Sequence, residues 1–395
     1  MEIEFLKLRN IFLICLLIII LVTYMYITNK NNLNSSSYQQ YYIEFKDFEL
    51  NKKLEKYLNN GYEVTINKIN GDYLYGDIHD TTNGEELFVT KNIFSYNYRT
   101  KEFEIYNFNY NYRILNYFIL NDAIYASLIF KDPSDSIGYK WSIIKYSKDF
   151  KNVSILESGK ILEPVNAPNF YYNDVNNTLY SITITEDIIQ NNDEITERLQ
   201  KLTLYQIDNN NIISLKTQTG DYINKTGLML CSIFNVQIYN DSLLFCLTDY
   251  QKVQYIKSIN LEDLQEEILF TNNLDNNWII NNFEQNNNNL YIGMFDIKDN
   301  QIGKTVYYNL STDDSVETSS DVFYGLNSFV NDKMLFHNLE KWKIYVTSDN
   351  RFYPVSIIGK YKNNYLYPAF YIINNNILVR GNDNIFYIGK LEEKK

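Results

Sequence analysis

Histidine is almost missing from this chain. His79 and His337 are the two among 395 residues, which leaves little from which to build a histidine relay or a multi-histidine metal site. The short catalytic motifs are missing too. There is no G-x-S-x-G elbow, no P-loop and no G-x-G-x-x-G turn, so the common serine-hydrolase, nucleotide and dinucleotide machineries are excluded. Excess positive charge is absent. The net charge is −12 and the pI about 4.8, so nucleic acid or an anionic lipid surface would be repelled. Cysteine occurs three times. Cys15 does not make a lipoprotein site, because Ile14 stands where a small residue is needed. Cys231 and Cys246 fall close together, but the hairpin register sets Cys246 opposite Asn235. That is too far from Cys231 for a bridge without a bulge, and Cys246 reads instead as a buried small hydrophobe. Proline (5) and glycine (14) are scarce as well.

What fills the space is Tyr (37), Phe (23) and a high content of Ile and Asn. Flat and branched side chains suit a pleated, packed surface, so strands should dominate. The Asn and Ile usage matches an AT-rich genome. It accounts for sequons such as Asn34, Asn152, Asn176, Asn224, Asn240 and Asn309 without any glycan.

One five-residue phrase recurs. It reads NNTLY at 176–180, NDAIY at 121–125, NDSLL at 240–244, NNNLY at 287–291, NDKML at 331–335 and NNNIL at 374–378, with GDYLY at 71–75 a looser copy. Asn, Asp and Gly tolerate positive φ, so each copy predicts a two-residue hairpin turn followed by a strand. Around the copies lie units near 62–107, 113–157, 168–217, 232–271, 278–318, 323–357 and 365–390, each of strand–turn–strand–loop–strand–turn–strand grammar. Second strands such as SLLFCL (242–247) and IYASLIF (124–130) are nearly all apolar, which predicts burial on both faces. The last unit lacks a fourth strand. A spare strand-like segment, YYIEFKDFEL (41–50), precedes the first unit and is expected to pair with IFYIGKL to close the ring.

This grammar over about 41–390 resembles the broad β-propeller superfamily, in particular bacterial TolB-like and low-density-lipoprotein-receptor-like propellers of surface proteins. The YWTD, WD40 and kelch signatures are absent, so no family active site is carried over. The resemblance and the spacing together imply an all-β, closed β-propeller of four-stranded blades. Seven blades are expected, and six or eight would follow from merging or splitting a unit.

Residues 11–27, IFLICLLIIILVTYMYI, carry no charge. They are long enough to span a bilayer with Tyr24 and Tyr26 at the interface, and Lys7 and Arg9 favour an inside N-terminus. No small-residue cleavage pair follows closely. The expected organisation is a transmembrane anchor at 1–28, a polar tether at 29–40 and the propeller at 41–395, on the extracytoplasmic side of the cell membrane.

Variable loops on a rigid scaffold are where binding concentrates. The loops between second and third strands are variable and acidic. They are DIHDTTNGEE (77–86), KDPSDSIG (131–138), TEDIIQNNDEITER (185–198) and DIKDNQIG (296–303). The candidate binding face is therefore Asp77, His79, Asp80, Glu85, Glu86, Asp187, Asp193, Glu194, Asp296 and Asp299, with the 185–198 segment a candidate helical insertion. A carboxylate neighbourhood favours the protonated form of His79. Such a face would take a cationic partner or Ca²⁺, although no loop fits the EF-hand spacing and no metal site is assigned. His337, on a second strand, reads as structural. Trp141, Trp278 and Trp342 are candidate sugar platforms, although such residues more often wedge between sheets. The reading is a non-catalytic, monomeric binding module for a protein or cell-envelope polymer, without cofactor. The alternative is a glycan hydrolase or lyase using carboxylates at the channel mouth.

Overall fold

The computed structural model describes residues 40–394 apart from 81–88, 109–112, 121–122, 132–138, 162–167, 174–175, 192–193, 209–210, 223–232, 250, 252, 297, 299–302, 321–324, 331–332, 339–342, 349–350, 360–369 and 382–383. The anchor at 1–28 and the tether up to residue 39 lie outside the described residues. Among the described residues no helix is long and apolar enough to cross a membrane.

The chain enters through β1 (Gln40–Asp47) and a short helix, α1 (Leu50–Leu58). The first repeat is β2 (Glu63–Asn70), β3 (Tyr73–Asp80), β4 (Val89–Asn97) and β5 (Phe103–Asn107). The second is β6 (Arg113–Leu120), β7 (Ala123–Lys131), β8 (Tyr139–Ser147) and β9 (Val153–Ile161). The third is β10 (Asn169–Asn173), β11 (Thr178–Asn191), β12 (Glu194–Asp208) and β13 (Asn211–Tyr222). The fourth is β14 (Ile233–Tyr239), β15 (Ser242–Thr248), β16 (Val253–Asn260) and β17 (Glu266–Asn273). The fifth is β18 (Trp278–Asn286), β19 (Asn289–Asp296), β20 (Gly303–Asn309) and β21 (Ser315–Ser320). The sixth is β22 (Gly325–Val330), β23 (Lys333–Asn338), β24 (Lys343–Ser348) and β25 (Arg351–Gly359). The last is β26 (Phe370–Ile373), β27 (Asn376–Arg380) and β28 (Phe386–Lys394).

These strands form six blades, which corrects the expected seven. Five are four-stranded, and the sixth is a double-width sheet of eight strands in the order β22-β23-β24-β25-β1-β28-β27-β26. The physical reason is β1. One of its edges pairs antiparallel with β28, Ile43 opposite Leu391. Its other edge pairs in parallel with β25, Ile43 opposite Ile357. The last two repeats therefore share one ladder. β25 ends beside β1 at Gly359, whose φ is +101° and where a Cβ would lie 2.5 Å from the Phe45 carbonyl oxygen.

The strand expected over 41–50 also ends early, at Asp47. Leu50 and Leu54 are buried at helical i, i+4 spacing on α1, and a helix is the conformation that points both inward. The Asn51 amide holds this corner. Its Nδ2 donates to the Phe386 carbonyl at 2.8 Å and its Oδ1 accepts the Phe386 N–H at 2.9 Å.

The recurring phrase is a tight turn. Gly71, Asn177, Asn240, Asn287, Asn374 and Asn375 all have φ between 47° and 57°, the region that Gly and Asn tolerate best. A second recurring turn lies on the same face. The side-chain oxygens of Asn97, Asn260 and Asn309 each accept two backbone N–H groups, at 2.8 to 3.2 Å. The next residue then donates to the first turn of its own blade, as Tyr98 N to Asp72 O (2.7 Å) and Leu310 N to Asn288 O (2.7 Å). The two turns knit one uniform face.

Burial explains the apolar second strands. In β15, Leu243, Phe245 and Leu247 pack with Tyr180, Ile182 and Leu202 of the third repeat. Leu244 and Cys246 pack with Ile280, Phe283 and Ile292 of the fifth. Each face of the strand meets a different blade. Cys246 is a fully buried free thiol, raised well above its ordinary pKa by that burial. A bulge in β14 sets it opposite Phe234 rather than Asn235. Cys231 lies outside the described residues.

Candidate functional site

The acidic residues expected on loops are placed differently. Asp77 and His79 lie within β3 and are 1% and 3% exposed. Strand alternation puts them on the face of Tyr75, which packs on the second repeat. His79 Nδ1 is 2.8 Å from Asp77 Oδ2, an electrostatic contact without good hydrogen-bond alignment. His79 Nε2 is 3.0 Å from Thr65 Oγ1. Thr90 accepts the Ile114 N–H at 3.0 Å and reaches Asp77 Oδ2 at 3.4 Å. This polar chain ties the first repeat to the second and faces no solvent. Asp80 is the last residue of β3, and Glu85 and Glu86 lie outside the described residues.

The expected helical insertion is instead a long hairpin. Asp187 pairs with Leu199 and Glu194 with Asn191 in the β11–β12 ladder; Asp193 is outside the described residues. Asp296 ends β19 and accepts the Lys298 N–H at 2.7 Å, while Asp299 is outside. Among the described residues no group of three His, Cys, Asp or Glu could hold a metal. Trp141 is a wedge, 2% exposed, with its ring against Gly159. Trp278 lies under the Lys304 ammonium, 4.5 Å from the ring centre. Trp342 is outside the described residues.

A site that the sequence reading missed lies on the axis. The first strand of each repeat has an unpaired edge. First strands lie against one another, β2 with β6, β6 with β10, β14 with β18, β18 with β22, β22 with β26 and β26 with β2. Their free edges therefore face the axis of the ring. Backbone groups there have no neighbouring strand and need other partners. Side chains supply them. The Asn235 and Gln237 amides donate to the Phe283 carbonyl at 2.8 and 3.1 Å. The Tyr171 hydroxyl donates to the Val236 carbonyl at 3.3 Å. The Lys68 ammonium crosses from β2 to the Phe170 carbonyl of β10. A side-chain pair, the Asn116 amide donating to Asn169 Oδ1, also joins β6 to β10.

These contacts leave polar groups unspent. Asn67 Nδ2, Asn116 Oδ1 and Asn282 Oδ1 are buried and have no partner among the described residues. A belt is also set by register. Lys68, Phe118, Tyr171, Gln237, Glu284, Ser328 and Tyr371 each stand two residues before the end of a first strand. Their ladder partners are Tyr75, Tyr125, Tyr180, Leu244, Tyr291, Leu335 and Leu378. The belt carries one cation, in the first repeat, and one carboxyl, in the fifth, on opposite sides of the ring. Lys68 is held 4.7 Å from the Tyr171 ring centre and 5.6 Å from that of Phe118, and burial pushes its pKa down to about 8. Burial pushes Glu284 up to about 7 and Tyr171 up to about 12. The signal in the sequence was positional: each belt residue lies just before a copy of the turn phrase.

No family model matches the chain, and no curated protein matches it. Solved structures do. An acylaminoacyl peptidase of Pyrococcus horikoshii superposes with a TM-score of 0.50 at 10% identity, over 86% of this chain and 53% of that one. The polysaccharide lyase Uly1 gives 0.49 at 10% identity, over 82% and 89% of the two chains. The β-propeller domain of the Trilobed protease from Pyrococcus furiosus gives 0.48 at 10% identity, over 84% and 97%. This chain spans about half the length of the acylaminoacyl peptidase. The likeness at 0.50 shows the fold alone: the chain is a β-propeller.

Proposed function

We propose that the protein is a membrane-tethered, extracytoplasmic binding propeller that takes a hydroxyl-rich cell-envelope ligand in its axial channel without transforming it. The observation that carries this reading is the set of unspent donors and acceptors on Asn67, Asn116 and Asn282. A buried amide atom without a partner is costly, and a ligand hydroxyl both donates and accepts. Ligand sites are commonly concave, with a few placed polar groups among aromatic walls; here the Phe118 and Tyr171 rings flank the Lys68 ammonium. Residues 1–28 would anchor the propeller as a monomer and 29–40 would tether it, and the propeller would belong with the TolB-like or low-density-lipoprotein-receptor-like surface propellers that its blade grammar resembles. No cofactor is needed.

The second reading, a glycan hydrolase or lyase, rests on Glu284, whose proton is retained near neutrality as a general acid requires. No other belt position carries a carboxyl to act with it.

The test is a thermal-shift screen of the full chain against envelope saccharides, with Asn116→Leu and Asn282→Leu beside the wild type. A ligand bound by the native state alone raises the midpoint. The reading expects a saccharide-dependent rise that both variants lose. Undiminished rises in both variants would move the site off the channel, and turnover of the saccharide would favour the enzyme.

A further inference from the structure

The Lys68 ammonium is a buried charge. Among the described residues no carboxylate pairs with it. Its contacts are one backbone carbonyl and two aromatic faces, which leave ammonium donors unused. Buried charges in proteins are as a rule paired, because an isolated one loses its hydration without compensation. Cation–π contact offsets only part of that loss. The ammonium also keeps most of its charge at neutral pH.

We propose that the channel belt is a binding site for a small hydroxylated carboxylate whose carboxylate docks on Lys68. This rests on the reading of the channel as a ligand site and adds the charge of the ligand to it. The arrangement sets three requirements. The acid group must be single, because Glu284 stands across the belt and would repel a second one once ionised. The remainder must be hydroxylated, to meet Asn67, Asn116 and Asn282. The ligand must be small or present a terminal residue, because a chain of net charge −12 repels an extended polyanion at a distance.

The experiment is calorimetric titration of the full chain at pH 7 with glucuronate, its uncharged amide and glucose. Wild type is compared with Lys68→Met and Lys68→Arg. A carboxylate on an ammonium makes a charge-assisted hydrogen bond, about twice as strong as a neutral one. Glucuronate should therefore bind at least tenfold more tightly than the amide. Lys68→Met should bring both to the same affinity, and Lys68→Arg should restore part of the difference. A second readout is NMR titration of the Lys68 ε-methylene, whose midpoint should move upward when glucuronate is bound. Equal affinity for acid and amide, or a Lys68→Met variant that keeps the preference, overturns the carboxylate site and leaves the channel reading standing. Failure of all three compounds to bind a chain that unfolds cooperatively overturns both. If Lys68→Met fails to fold, the wild-type acid-to-amide ratio and the NMR midpoint decide alone.

Discussion

Glu284 gives the channel a measurable pH dependence. Its carboxyl is raised by burial from the ordinary 4.5 to about 7. The unfolded chain releases that proton near 4.5, whereas the folded chain holds it until about 7. Between those values the folded state binds more protons, so stability falls as pH rises. The contribution is neutral below 4.5, declines across the window and is fully unfavourable above 7. At about 1.4 kcal/mol for each pH unit, the whole effect is about 3 kcal/mol. Glu284→Gln keeps the shape and removes the titration. Urea unfolding of both proteins between pH 4.5 and pH 8 isolates the term, because every other group titrates alike in the two. The variant should match the wild type at pH 4.5 and exceed it by about 3 kcal/mol at pH 8. For a chain of this size that is a midpoint shift on the order of 1 M. Parallel pH profiles would refute the placement of this carboxyl in a desolvated belt.

Three further outcomes follow from the packing. The buried Tyr117 hydroxyl accepts the Gly76 N–H at 2.8 Å and donates toward the carbonyls of Gly76 (2.7 Å) and Phe94, so Tyr117→Phe should cost about 1–3 kcal/mol in urea unfolding; a loss below about 0.5 kcal/mol would remove its role as a tie between the first two repeats. A Cβ at Gly159 would lie 2.7 Å from the Trp141 ring, so Gly159→Ala should destabilise by about 1–3 kcal/mol, and unchanged stability and Trp fluorescence would contradict that contact. Removing β1 frees an edge on both β25 and β28. A chain beginning at Phe48 should aggregate on size exclusion, and a monodisperse, cooperatively unfolding product would show that the ring closes without it.

Some of this was written locally in the sequence. The positive-φ turns were legible because only Gly and a few polar residues suit them, and the two-sided burial of SLLFCL was legible because a strand with one wet face would alternate. What stayed hidden is non-local. Nothing in FYPVSIIG announces that its outer edge will meet YYIEF in parallel, since edge pairing depends on where a distant segment lands, and the blade number followed from it. Asp77 and His79 looked like loop residues because carboxylates usually seek water; the alternation from Tyr75 was the better guide. The acidic run at 185–198 gave no periodic apolar pattern with which to tell helix from hairpin. The belt was overlooked because its members share a position ahead of the turn phrase and no chemistry: Lys68, Phe118 and Gln237 are alike only in their distance from that phrase.

The placement of β1 between β25 and β28 has a mechanical consequence. A pull on the chain ahead of Gln40 acts along the axis of β1, so both ladders are loaded in shear. Their hydrogen bonds must yield together, whereas an edge strand peeled from its end gives them up one at a time. The force then spreads into eight strands spanning the last two repeats. A propeller held by its N-terminal segment would thus hang from its widest sheet, and tension on that segment would not prise the ring open at its seam.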